Sequence, residues 1–204
     1  MTAALSFVHK FEPASDPTRA PILLLHGTGG DESDLLPLGR AIAPRAALLS
    51  PRGKVIENGM PRFFRRLREG VFDEEDVRRR ADELADFVGE ARRAYGLAKP
   101  VAVGFSNGAN VAAAVLLLRP EVLDGAILMR VMAPFRTLPN SKLAGTPVLI
   151  LSGRLDPIVP DESAARLAAA LTDSGAHVQR QTLSAGHGLT QDDLRLAAAF
   201  LDKL

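Results

Sequence analysis

Short, continuous apolar runs alternate along this chain with longer amphipathic segments. Ile22–His26, Ala46–Ser50, Val101–Phe105, Asp124–Met129 and Pro147–Ser152 each read as a strand, because an unbroken apolar run suits a strand covered on both faces. Leu5–Phe11 and Ala176–Thr182 are weaker candidates at either end; the second alternates at Val178 and Arg180. Helices are predicted between them. In Glu74–Tyr95 the apolar positions Val77, Ala81, Leu84, Val88, Ala91 and Tyr95 step by 4, 3, 4, 3 and 4, which makes one helix face. Its start carries Asp73, Glu74, Glu75 and Asp76, where carboxylates favour the helix dipole, and Gly96 suits its stop. Further helices are predicted at 32–43, 107–118, 161–173 and 190–203.

Strand and helix in alternation predict an α/β fold, a mostly parallel central sheet of about seven strands with helices on both faces. Residues 51–72 are the one long irregular stretch, broken by Pro51, Gly53, Gly59, Pro61 and Gly70, and a loop of that length is expected to serve function. No linker divides the chain. The connection Arg130–Thr146 is too short to hold a separate cap, so a single domain over 1–204 without a cap domain is expected.

Composition narrows the function classes. A chain that is 47% hydrophobic and 24% charged is a soluble globular domain by composition. A formal net charge of +1 provides no long-range field for nucleic acid or an anionic membrane. The absence of cysteine excludes disulfides, zinc–thiolate sites and a cysteine nucleophile. No apolar run is long enough to span a membrane and the start lacks a secretory leader pattern, so no membrane insertion and a cytoplasmic location are expected.

Gly104-Phe105-Ser106-Asn107-Gly108 fits G-x-S-x-G, a pattern too short to carry much alone. Its setting strengthens it. An apolar strand runs into it and an Ala-rich helix runs out, as a strained turn that exposes a serine hydroxyl requires. The alternative is a tight strand–helix turn with an incidental serine. A serine needs a base, and the base needs an orienting acid. Of four histidines, His9 and His177 fall on flanking strands and read as surface residues, while His26 ends a strand and reads as a brace for the loop after it. His187 lies between Gly186 and Gly188, in the loop before the last helix, and is the candidate base. Asp156 leaves a strong buried strand and is the candidate acid; Asp161 reads as a helix N-cap and Asp124 sits at the wrong strand end. The order Ser106, Asp156, His187 is that of α/β-hydrolases. An oxyanion would be bound by two backbone N–H groups, from Asn107 and from Thr28 in the loop His26-Gly27-Thr28-Gly29-Gly30. That glycine-rich loop lacks the lysine of a phosphate cradle.

The segments Leu25–Gly30, Gly104–Ala109, Gly153–Pro160 and Gly186–Gly188 resemble the phospholipase/carboxylesterase family of small α/β-hydrolases, which includes acyl-protein thioesterases and bacterial carboxylesterases. The resemblance covers nearly the whole chain. It implies a hydrolase of small-molecule esters or thioesters with no cofactor and no metal, and a homodimer is implied by resemblance alone. Family members often carry glutamine after the serine; here it is Asn107. The arginine-rich loop with Gly70-Val71-Phe72-Asp73 resembles a bacterial branch associated with quinone and hydroquinone stress, which names no substrate. Carboxylic ester cleavage through an acyl-enzyme is the leading reading. Thioester or lysophospholipid cleavage at the same site, or non-catalytic binding of a small molecule, are the alternatives. Phe63, Phe64, Phe72 and Met132 are the candidate substrate contacts, with arginines 52, 62, 65, 66 and 68 as cationic edges. The competing view is a loop that packs its phenylalanines inward and solvates its arginines.

Overall fold

The computed structural model describes residues 5–68 and 70–204. Seven strands form the central sheet. They are β1 (His9–Glu12), β2 (Ile22–Leu25), β3 (Leu48–Pro51), β8 (Val101–Phe105), β9 (Gly125–Met129), β10 (Pro147–Gly153) and β11 (His177–Leu183), in spatial order β1-β3-β2-β8-β9-β10-β11. Only β1 runs antiparallel to its neighbour; the other pairings are parallel. The sheet is mostly parallel and has seven strands, as the sequence predicts.

Helices α1 (Leu36–Ile42) and α5 (Gln191–Leu201) cover one face through a core that includes Leu24, Ile127, Leu151 and Phe200. The other face is covered by α2 (Glu74–Tyr95), α3 (Asn107–Leu118) and α4 (Asp161–Asp173), with Leu84, Leu116 and Leu167 among the core residues. The continuous apolar strand runs follow from this double cover. The face of α2 read from spacing is buried from Val77 to Ala91, Gly96 ends the helix as expected, and Asp73 caps its start, with its side chain accepting the Asp76 N–H. Tyr95 ends that row half-exposed, stacked on Phe11 at 4.0 Å between ring centroids.

The path of the chain sets where a site can form. From β2 it moves to β3 on one side and later returns to β8 on the other. The carboxyl ends of β2 and β8 therefore flank a switch point, the crevice where open α/β sheets bind ligands.

Four sequence expectations are corrected. Residues 51–68 and 70–72 are not irregular. They fold into two hairpins, β4 (Val55–Glu57) with β5 (Met60–Arg62), and β6 (Arg66–Arg68) with β7 (Val71–Phe72). Asn58 and Gly59 both take positive φ (52° and 75°), the combination a two-residue hairpin turn demands. The first strand starts at His9 rather than Leu5. Helix α1 starts at Leu36 rather than residue 32, because Asp31 first closes a side-chain turn onto the Ser33 amide and Pro37 follows at the helix start. Asp161 is the first residue of α4 rather than its cap; Pro160 holds the cap position and Asp161 pairs with Arg180.

The crowding at this crevice is testable. A Cβ on Gly108 would lie 2.0 Å from the Leu25 carbonyl oxygen, so β2 and α3 approach as closely as backbones can. Overpacking there costs about 1–3 kcal/mol or more. Gly108→Ala is expected to lower the melting temperature by at least about 3 °C, as measured by calorimetry. An unchanged melting temperature would show that the two backbones can part freely.

Candidate active site

Ser106 joins β8 to α3 with φ +52° and ψ −114°, a backbone conformation that side chains rarely occupy. Strand pairing holds it there: its N–H donates to the Met129 carbonyl at the end of β9, at 2.9 Å. The hydroxyl meets His187 Nε2 at 3.0 Å. His187 Nδ1 meets Asp156 Oδ2 at 2.8 Å, so three residues distant in sequence form one hydrogen-bonded row.

Each partner is itself held. The Asp156 side chain is buried, which by itself raises a carboxyl pKa. The Ile158 amide, the imidazole and the Val159 amide oppose that effect, and the balance holds Asp156 below its ordinary value. The carboxylate is therefore ionised at neutral pH and accepts the imidazole N–H. The two amides donate to its other oxygen, Oδ1, at 2.8 and 3.1 Å. His187 arrives from the loop after β11. That loop passes so close to β10 that a Cβ on Gly153 would lie 2.4 Å from the Gly186 carbonyl oxygen.

Two residues that motif reading missed clamp the His187 loop. Arg130, just past β9, is fully buried and pairs bidentately with the buried Asp193 of α5, at 2.7 and 2.8 Å. Its Nε and Nη2 donate to the carbonyls of Gly186 and Gly188, each at 3.0 Å, one on either side of His187. Asp193 also accepts from the Thr190 amide and hydroxyl, closing a capping box at the start of α5. The available signals were an arginine ending an apolar strand and the Thr190–Asp193 spacing.

On the opposite side, His26 braces the loop that carries Thr28. Its Nε2 accepts the Gly53 N–H at 3.0 Å, so the ring proton sits on Nδ1 and is donated to the Gly27 carbonyl at 2.7 Å. Burial presses the His26 pKa below its ordinary value, which favours this neutral form. Thr28 Oγ1 accepts from Arg62 at 2.8 Å. The Asn107 carboxamide reaches away from the serine to accept the Phe63 N–H at 2.7 Å.

These groups enclose a cavity of about 280 Å³. Ser106, His187, Thr28 and Asn107 line it, with Phe72, Phe105, Met132, Ile158 and Val159 as apolar wall and Arg62, Arg66 and Asn110 as polar wall. Of the expected substrate contacts, Phe72 and Met132 lie on the cavity and Phe63 and Phe64 do not. The latter two are buried, Phe63 packed on His26 and Phe64 edge-on to Phe72. The competing view, that the segment packs phenylalanines inward, describes those two. Among the described residues no group of His, Asp or Glu is placed to hold a metal ion, and no helix is long and apolar enough to cross a membrane.

A model of the family described as Phospholipase/Carboxylesterase matches residues 8–204. The chain is 49% identical over 178 residues to "Putative hydrolase MhqD" of Bacillus subtilis (strain 168), covering 86% of this chain and 89% of that protein. The crystal structure of the Bacillus cereus carboxylesterase is similar, with a TM-score of 0.94 at 43% identity, covering 97% of this chain and 94% of that one. The structure of YahD with malic acid has a TM-score of 0.89 at 32% identity, covering 98% of this chain and 99% of that one.

The buried pair predicts a specific stability pattern. Removing one partner leaves an uncompensated buried charge, at a cost of about 3–5 kcal/mol. Arg130→Met is expected to lower the melting temperature by roughly 6–20 °C. Arg130→Met combined with Asp193→Leu is expected to lose less than Arg130→Met alone, since no charge is then left unpaired. Thermal melts of the three proteins decide it.

Proposed function

Because the chain belongs to the phospholipase/carboxylesterase family and is a hydrolase, we propose that it cleaves small carboxylic esters through an acyl-enzyme formed on Ser106. The observation that carries this reading is the unbroken row Ser106–His187–Asp156, whose serine end opens on the cavity.

Ser106 Oγ attacks the acyl carbon as His187 Nε2 takes its proton. Ionised Asp156 fixes the tautomer that leaves Nε2 free to accept, and stabilises the imidazolium that forms. The carbonyl oxygen gains negative charge, which the backbone N–H groups of Thr28 and Asn107 receive. Among the described residues neither amide donates to another backbone carbonyl. His187 then protonates the departing alkoxide, and the alcohol leaves. Water attacks the acyl-enzyme, His187 takes its proton, and the acid departs with Ser106 restored.

Cavity size supports small acyl groups over long lipid chains, since about 280 Å³ is at the low end of small-molecule sites. Malic acid, the companion of YahD in its structure, is a four-carbon acid of a size this cavity suits. The complete proton relay separates this reading from that of a binding protein, which needs a pocket but not an activated hydroxyl.

Ser106→Ala is expected to fold with an unchanged melting temperature and to lose turnover of 4-nitrophenyl acetate by a factor on the order of 10⁶, as nucleophile removal does in other triads. An alkyl fluorophosphonate is expected to label the native chain once, at Ser106, as read by mass spectrometry. Substantial residual turnover or labelling in Ser106→Ala would place the nucleophile elsewhere.

A further inference from the structure

Among the described residues lining the cavity, the arginines are Arg62, Arg66 and Arg130, and Arg130 is matched by Asp193. Between Arg62 and Arg66 stands one carboxylate, Glu57, whose Oε2 is 2.8 Å from Arg66 Nε and 3.6 Å from Arg62 Nε. Among the described residues, these two guanidiniums and one carboxylate sum to one excess positive charge.

Arg62 is buried, with its side chain 4% exposed. Its hydrogen bonds go to neutral oxygens, the Phe64 carbonyl at 3.2 Å and Thr28 Oγ1 at 2.8 Å. Burial presses its pKa down, Glu57 lifts it, and Arg66 presses it down again. It remains charged, as guanidinium groups do. Arg66 uses only Nε, on Glu57; among the described residues its Nη1 and Nη2 have no hydrogen-bond partner, and its side chain is about one third exposed. A buried cation with half a counter-ion is unfavourable until an anion completes it. Arginine presents paired N–H groups in the geometry a carboxylate accepts.

Building on the esterase reading above, we propose that the substrates are small esters bearing a second, free carboxylate, such as half-esters of short dicarboxylic acids, and that Arg66, with Arg62 behind it, binds that carboxylate. Thr28 couples the two functions. Arg62 holds its hydroxyl while its amide faces the oxyanion in the proposed reaction, so an anion seated on the arginines is positioned beside the reacting carbonyl. The apolar wall of Phe72, Met132, Ile158 and Val159 is left for the short carbon skeleton.

The test compares monoethyl succinate with ethyl butyrate, which match in acyl length and differ by the carboxylate, in a pH-stat at neutral pH. The wild-type kcat/KM is expected to favour monoethyl succinate by roughly tenfold or more, the scale of a charge-assisted hydrogen bond. Arg66→Gln is expected to collapse that ratio by a similar factor. Glu57→Gln, which leaves both guanidiniums without their carboxylate, is expected to raise it. Arg195→Gln makes the same charge change on the exposed face of α5, where Arg195 pairs with Asp192, and is expected to leave the ratio alone. Cleavage of ethyl butyrate with no preference for the succinate, or a ratio unmoved by Arg66→Gln, overturns the anion site while the esterase reading stands. Cleavage of neither ester, with no fluorophosphonate labelling, overturns the esterase reading and this proposal with it.

Discussion

A guanidinium and a carboxylate buried together, Arg130 and Asp193, fix a part of the site that the sheet cannot fix. Strand pairing positions Ser106 at the end of β8 and Asp156 just beyond β10, but His187 arrives on a loop. A loop brings conformational freedom, and a base displaced by an ångström loses its hydrogen bonds. The Arg130 side chain removes that freedom by donating to carbonyls on both sides of the histidine while Asp193 holds its other edge. A charge pair excluded from water contributes little net stability against an apolar replacement. What it contributes here is geometry, since only a planar donor with several N–H groups can grip two carbonyls and a carboxylate at once.

The same logic recurs on the other wall. Neutral His26 bridges Gly27 and Gly53, so the loop after β2 is pinned to the segment leading into the hairpins. Asn107 pins Phe63, and Arg62 pins Thr28. The hairpins of 55–72 are thereby fastened to the sheet by polar contacts at the rim and by Phe63 and Phe64 in the core. They supply one wall of the crevice, with Arg62, Arg66, Gly70 and Phe72 among its lining.

The legible parts of the sequence were those governed by local rules. Apolar runs gave the sheet, a 3.6-residue period gave α2, and strand–turn–helix punctuation marked Ser106. Asp156 and His187 could be proposed because both sit in short loops where parallel sheets gather their functional groups. The rest depended on long-range contact. Arg130 and Asp193 are 63 positions apart, and the local signs, an arginine ending an apolar strand and the Thr190–Asp193 spacing, do not say that the two side chains meet. Phe63 and Phe64 share a loop with Phe72, and composition does not say which ring turns inward. The hairpins are a different matter. Asn58-Gly59 is a strong turn signal, and reading 51–72 as irregular gave its glycines and prolines weight over the dipeptide that organises half of it.

Charge placement then links architecture to selectivity. The chain is nearly neutral as a whole, so steering from a distance is weak. A local excess beside buried groups such as Arg62 is a different quantity, because low dielectric strengthens each interaction that water would screen. Among the described residues, Glu57 moderates that excess without cancelling it. A second carboxylate there would neutralise the wall and favour uncharged ligands, whereas none would leave a buried arginine without compensation. In the proposed carboxylate site, the arrangement of two arginines on one glutamate would reach charge balance when an anion enters, beside Ser106, which lines the same cavity.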